Sequence, residues 1–267
     1  MYRRMPVLLP AIVLTLALLC SSACTVGAET TEEFHKTLSP AAGTPLTVEN
    51  TNGSITITAW DREDVDILAV KKTREGRDEL DKVEIDISEN GKLRIETEYL
   101  ERNAKVSVNY TIKVPFTIPV ELVSTTNGSL ELEGTSGDTV AKTTNGSITV
   151  RDAGGSIEST TTNGNISVTD VSSIRRVTTT NGKIEVSFDK LVSDSEFTTT
   201  NGSVDVCFPA GMNADLELQT TNGSIRANGI KMLVDEISKR HLSGKLGSGG
   251  PKINVKTTNG SISLEEL

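Results

Sequence analysis

Apolar and polar residues alternate in short runs along this chain, and the runs keep meeting at one tripeptide, Thr-Asn-Gly. It occurs eight times, with its asparagine at Asn52, Asn127, Asn145, Asn163, Asn181, Asn201, Asn222 and Asn259. Three residues after each asparagine stand Ile55, Leu130, Ile148, Ile166, Ile184, Val204, Ile225 and Ile262, and five after stand Ile57, Leu132, Val150, Val168, Val186, Val206, Ala227 and Leu264. Both columns are apolar throughout. Six and four residues before asparagine come Leu46 and Val48, Leu216 and Leu218, Ile253 and Val255, while Ile157, Val177 and Phe197 fill one of the two places in other copies. Period-two alternation on both flanks predicts two short strands per unit, meeting at the Asn-Gly corner with one face of each turned inward.

Asn-Gly between apolar runs is also the strongest short-range signal for a two-residue hairpin. The spacing decides against that reading. From Asn127 the successive intervals are 18, 18, 18, 20, 21 and 37, the last about two units. Asn90, in a Glu-Asn-Gly, divides the 75 residues from Asn52 to Asn127 into 38 and 37, again about two units each. A fixed period near twenty marks a solenoid, whose units bury their apolar faces against their neighbours. The predicted fold is therefore an all-β parallel β-helix with coils of about 18 residues. The solenoid domain is expected over residues 41–267, and the 207 residues from Asn52 to Asn259 make about eleven coils, a rod of roughly 50 Å at about 4.8 Å per coil. Like residues stack, and the asparagines form a hydrogen-bonded column as in cross-β ladders. The corners are expected to need left-handed backbone, which Asn and Gly tolerate. Length changes gather on the opposite side of each unit, a row of loops.

Residues 61–124 are less regular and are expected to hold irregular coils or an antiparallel cap, because a solenoid end needs covering. Ile230, Leu233, Val234 and Ile237 have helical spacing, yet the 37-residue interval fits two coils without a helix and favours strands. Aromatics supply only 3% of the residues, which implies a thin core of Val, Ile and Leu.

The start of the chain changes the setting. Arg3 and Arg4 precede an apolar run from Pro6 to Cys20 and then small residues. That is an export signal, shorter than the roughly 20 apolar residues of a membrane-spanning helix. It resembles a bacterial lipoprotein signal, which implies that residues 1–23 are removed and that Cys24 carries the lipid; ordinary cleavage after Ala23 or Ala28 is the alternative. Residues 24–40 then form a leading segment. With Cys24 acylated, Cys207 is a lone thiol; otherwise a Cys24–Cys207 bridge is conceivable. Without residues 1–23 the chain has 25 basic against 36 acidic residues, net −11, which argues against nucleic acid or an anionic membrane surface as partner.

Candidate chemistry is sparse. His35 and His241 lie more than 200 residues apart without visible companions for a metal site or triad. Glu131, Glu133, Glu158, Glu185, Glu196, Asp205 and Glu217 take outward strand positions, and a pair from adjacent coils could fall within glycosidase range, although a solvated face is the default. Gly-Ser-Gly-Gly-Pro occurs once and lacks the Asp of calcium-binding solenoid repeats. The Asn-Gly-Ser sites are formal glycosylation acceptors whose turn role already accounts for them. Neither cofactor nor metal is expected. Cys207, beside inward Val206, reads as a half-buried inert thiol. The most specific surface feature is threonine. Thr160 and Thr162, Thr178 and Thr180, Thr198 and Thr200 would present a flat T-x-T array on three adjacent coils, like that of ice-binding β-solenoids, interrupted elsewhere by Lys142, Gln219 and Lys256.

With the repeats in register the chain resembles a bacterial family of putative adhesins, exported β-strand-repeat proteins formally classed as a domain of unknown function. The likeness is carried by T-V-E-N-T-N-G-S-I-T-I-T-A-W-D at 47–61, V-P-F-T-I-P-V-E-L-V-S-T-T-N-G at 114–128, the T-T-N-G series, and S-G-K-L-G-S-G-G-P-K-I-N-V-K-T-T-N-G-S-I at 243–262. It implies a right-handed β-helix at the cell envelope, on its periplasmic or surface face, and brings no catalytic residues. The expected role is a non-enzymatic binding scaffold with a Thr/Asn-rich face toward envelope polymer or protein. A self-stacking structural protein and a carbohydrate-active β-helix enzyme are the alternatives.

Overall fold

The computed structural model describes residues 29–227 and 229–267. The export signal, the lipidation candidate Cys24 and the first residues of the leading segment lie outside the described residues. Among the described residues no helix is long and apolar enough to cross a membrane.

Alternation becomes strands throughout. The first seven are β1 (Thr30–Leu38), β2 (Leu46–Glu49), β3 (Ile55–Trp60), β4 (Val65–Thr73), β5 (Val83–Glu89), β6 (Leu93–Tyr99) and β7 (Ser107–Pro115), with a 3-10 turn at Arg77–Lys82. The repeats supply pairs of strands, one on each side of a corner: β8 (Val120–Ser124) and β9 (Leu130–Glu133), β10 (Thr139–Lys142) and β11 (Ile148–Arg151), β12 (Ser156–Thr160) and β13 (Ile166–Val171). Then follow β14 (Ser173–Asn181) and β15 (Ile184–Phe188), β16 (Ser195–Asn201) and β17 (Val204–Phe208), β18 (Ala214–Asn222) and β19 (Ile225–Arg226). The chain closes with β20 (Met232–Ile237), β21 (His241–Leu246), β22 (Lys252–Asn259) and β23 (Ile262–Glu266).

These form two sheets. Sheet A runs β1-β4-β7-β3-β9-β11-β13-β15-β17-β23-β19, and sheet B runs β20-β21-β18-β22-β16-β14-β12-β10-β8-β2-β6-β5. Nine strands of each, β7 through β19 and β6 through β18, are parallel and define nine coils of a β-solenoid. The inward columns are buried as their alternation requires, from Ile55 and Ile57 to Ile262 and Leu264, and four aromatics, Tyr110, Phe188, Phe197 and Phe208, are buried with them, while Phe116 is exposed.

Three expectations change. The coils number nine rather than eleven, so eight intervals of about 4.8 Å give roughly 38 Å. Of the long intervals that looked like paired coils, Asn52 to Asn90 contains the cap strands β4 and β5 and Asn222 to Asn259 contains β20 and β21, while Asn90 to Asn127 holds the coil strands β6, β7 and β8. β5 pairs antiparallel with β6, β4 with β7 and with β1, β21 with β18, and β20 with β21. Asn90 sits at the turn of the β5–β6 hairpin, where Gly91 has φ +75°, so this one Asn-Gly is a hairpin tip. The leading segment, too, contributes β1 to sheet A.

Stack order also departs from chain order at both ends. β2 lies between β6 and β8, so the first coil is covered on its outer side by a later one. β22 lies between β16 and β18, so the last coil enters between those of Asn201 and Asn222. Neither coil nearest a chain terminus is left as an unpaired edge, the exposure that native sheets avoid.

Candidate functional site: the corner and its threonine faces

All eight asparagines of the Thr-Asn-Gly motif stand in one line. Each is in parallel register with the next, in the stack order 52, 127, 145, 163, 181, 201, 259, 222. Their side chains form a continuous chain of amide hydrogen bonds. Asn127 Nδ2 donates to Asn52 Oδ1 at 2.7 Å, Asn145 to Asn127, Asn163 to Asn145, Asn181 to Asn163 and Asn201 to Asn181 at 2.8 Å each, Asn259 to Asn201 at 2.7 Å, and Asn222 to Asn259 at 2.8 Å. A primary amide has a donor and an acceptor on opposite sides, so a single residue type repeats without limit along a parallel stack.

The glycine beside it has a different reason from the one expected. Of the eight corner glycines only Gly53 has positive φ, at +121°, and no corner asparagine has. The corners are therefore not left-handed. What demands glycine is the closeness of successive coils: a Cβ on Gly146, Gly164, Gly182, Gly202 or Gly260 would overlap the carbonyl of the glycine stacked beneath it.

Alternation sends neighbouring threonines to opposite sides. Thr160, Thr178 and Thr198 are in register as one outward column, and Thr162, Thr180 and Thr200 are exposed beside it. Lys142 stands next to Thr160 and Lys256 next to Thr198 at the two margins of these columns. Gln219 lies one coil further out, because the last coil intervenes. The threonine directly before asparagine is exposed in every coil except that of Asn259, where Thr258 is half-buried, so this column runs the length of the corner.

Between the two outward positions lies a column that sequence reasoning passed over. Thr125, Thr143, Thr161, Thr179, Thr199, Thr257 and Thr220 are buried. Each hydroxyl donates to the carbonyl of the corner glycine in the adjacent coil: Gly53, Gly128, Gly146, Gly164, Gly182, Gly202 and Gly260, at 2.8–3.1 Å. In the first motif Asn50 does the same work, its Nδ2 reaching Val108 O at 2.8 Å. The signal was the first threonine of T-T-N-G, present in every copy from Asn127 onward.

The acidic candidates are mostly held by cations. Glu131 pairs with Arg151, Glu196 with Arg176, and Lys183 bridges Glu185 and Asp205, which are in register on adjacent coils. The hydrogen bond from His241 holds the Glu217 carboxyl below its ordinary value, the opposite of what a general acid requires. Among the described residues no cluster of His, Cys, Asp and Glu could hold a metal ion. Burial pushes the Cys207 thiol up, so it is a poor nucleophile.

The two histidines tie caps rather than form a site. His35 Nε2 lies 2.6 Å from Asp66 across β1 and β4. His241 Nε2 lies 2.7 Å from Glu217 on β18, and its Nδ1 lies 3.3 Å from Glu236 on β20, with Lys252 also 3.5 Å from Glu217. The carboxylates, Glu217 first, raise the histidine pKa. His241 therefore stabilises the cap fully below its unfolded value of 6.5, and this contribution is lost as pH rises through the raised folded value. The Glu217 contribution is present above its unfolded value of 4.5 and lost as pH falls through its lowered one. The cap is expected to be tightest between those two unfolded values. Hydrogen exchange of the β20 and β21 amides, corrected for intrinsic rate, should quicken from pH 6 to pH 9, and His241→Gln should remove that dependence. Equal protection at both pH values in the native chain would contradict the assignment.

A parallel β-solenoid with an asparagine ladder at its corner and hydroxyls on both sides of that ladder is the class these features define. The chain belongs to the DUF4097 Toastrack family, whose model matches residues 43–265. No curated protein matches it. Among solved structures it is similar to a "putative cell adhesion protein" from Clostridium sporogenes, at 14% identity over 89% of this chain and 100% of that one, TM-score 0.36. A "putative adhesin" from Bacteroides fragilis is 12% identical over 88% and 97%, TM-score 0.41. A "Putative lipid binding protein" from Parabacteroides distasonis is 11% identical over 90% and 97%, TM-score 0.37.

Proposed function

We propose that the protein is a non-enzymatic scaffold of the bacterial cell envelope, exported by residues 1–23, anchored by lipid on Cys24, and binding envelope polymer or protein through its threonine face. One observation carries the binding role. Thr160, Thr178 and Thr198 repeat in register beside Thr162, Thr180 and Thr200, on a surface bracketed by Lys142 and Lys256. Hydroxyls recur about every 4.8 Å across coils and about 6.7 Å along a strand. The strands and the registered corner between them hold these β-branched side chains, so little side-chain entropy is lost on contact. A polymer with regularly spaced polar groups can meet several at once, and weak contacts multiply through effective concentration.

Co-sedimentation with purified, insoluble cell-wall sacculi tests this. Replacing Thr162, Thr180 and Thr200 together by lysine should weaken binding at least about tenfold, a loss of roughly 1.4 kcal/mol, without changing the thermal midpoint. Binding that survives the triple substitution would remove the face from consideration. In cells, Cys24→Ala should move the chain from the membrane to the soluble fraction while leaving binding of the purified chain unchanged.

A further inference from the structure

The two ends of the rod differ in outline. Beyond the ninth coil at the C-terminal end, sheet B continues for two strands, β21 and β20, while sheet A stops at the two-residue β19. Beyond the ninth coil at the other end, sheet A continues for two strands, β4 and β1, and sheet B for one, β5. The ends are thus stepped in opposite senses, sheet B protruding at one and sheet A at the other.

The protruding strand at the C-terminal end is apolar where it should be covered. Met232, Val234 and Ile237 of β20 pair with Leu246, Gly244 and Leu242, the inward residues of β21. With no strand of sheet A opposite them, Val234 is 47% exposed and Ile237 73%, and Leu233 on the other face is 69% exposed. Three of the seven exposed large hydrophobics among the described residues lie in this one edge strand. Charge divides the same way. Residues 225–246 hold five basic and two acidic residues, net +3, in a chain of net −9. Residues 75–89, which contain β5 at the opposite end, hold seven acidic and two basic, net −5.

We infer that the C-terminal end docks head-to-tail on the N-terminal end of a second copy of this chain, β20 pairing with β5 so that sheet B continues from one molecule into the next. Strand direction agrees. β20 runs with the coil strands, because it is antiparallel to β21 and β21 to β18, whereas β5 runs against them. A copy displaced along the rod axis therefore brings the two together antiparallel, the slightly stronger pairing. The inward face of β5 offers the half-buried Ile85 and Ile87 to Val234 and Ile237 of the second copy. A heterologous contact of this kind does not close, so it propagates into filaments. The register shift in β20 between Val234 and Glu236 keeps the paired stretch short, and the contact is accordingly weak and salt-sensitive.

Sedimentation velocity of the full exported chain, from about 1 to about 300 μM, is the test. At about 0.01 M salt the weight-average mass should climb without a plateau, and at about 1 M salt it should fall back toward monomer. Two variants separate the possible partners, V234K with I237K at one end and E84K with D86K at the other. Each alone should be monomeric with an unchanged circular dichroism spectrum, and an equimolar mixture should stop at a one-to-one dimer, since each supplies the end the other lacks. A wild-type chain that remains monomeric at every concentration overturns the proposal. So does a dimer that E84K with D86K leaves intact, which would place a two-fold β20–β20 contact there instead.

Discussion

Gly164→Ala is expected to destabilise the rod by more than about 4 kcal/mol, a large share of the 5–15 kcal/mol by which domains are ordinarily stable. The added methyl has no room. It would coincide with the carbonyl of Gly146, which is fixed in turn by the hydroxyl of Thr161 at 3.0 Å. Relief requires separating two coils, but the flanking strands are held in parallel register on both sheets, Ile148 against Ile166 and Lys142 against Thr160. The same change at Gly154 is the control. Its Cβ would meet only Thr135 O, at 3.8 Å, so Gly154→Ala should stay within about 0.5 kcal/mol of the native chain. Urea unfolding midpoints of the two variants decide the matter. Similar midpoints would show that coil spacing yields easily and that glycine at the corner has another cause.

Thr179→Val should cost about 1–3 kcal/mol, because it removes a hydroxyl without changing shape and leaves the Gly164 carbonyl buried without its donor. Thr178→Val, one residue away and half-exposed, should lie within about 0.5 kcal/mol of neutral. Thr179→Ser keeps the donor and should recover most of the loss. The comparison separates two roles that look identical in the motif. One threonine closes the stack from inside and the next faces solvent for binding. Equal effects from Thr178→Val and Thr179→Val would mean that the inward bond contributes nothing net.

Much of this was legible because a solenoid makes distant contacts periodic. The inward columns at three and five residues after asparagine, the asparagine ladder, and the outward pair Thr178 and Thr180 all follow from one registered repeat, and in the structure Asn145, Asn163 and Asn181 are neighbours. The inward threonine was missed because the alternation there continues into a polar residue, and a polar letter suggests the surface unless its partner carbonyl is known. Left-handed corners were expected because Asn-Gly usually signals them. The corner glycines other than Gly53 instead answer to a neighbour 18 or more residues away.

By itself, then, the sequence determined the period, the face each side chain takes, the corner residues and the all-β class, since these depend on spacing along one strand and on identity between copies. Only the tertiary structure decided the order in which coils lie, the antiparallel caps, and the opposite steps at the two ends. The physical reason is that every coil offers its neighbour the same inward residues and the same backbone edge. Repetition makes the pairings interchangeable in composition, and which copy sits beside which is set by the connections between them: the excursion through β4, β5 and β6, and the hairpin β20–β21 that returns β22 between β16 and β18.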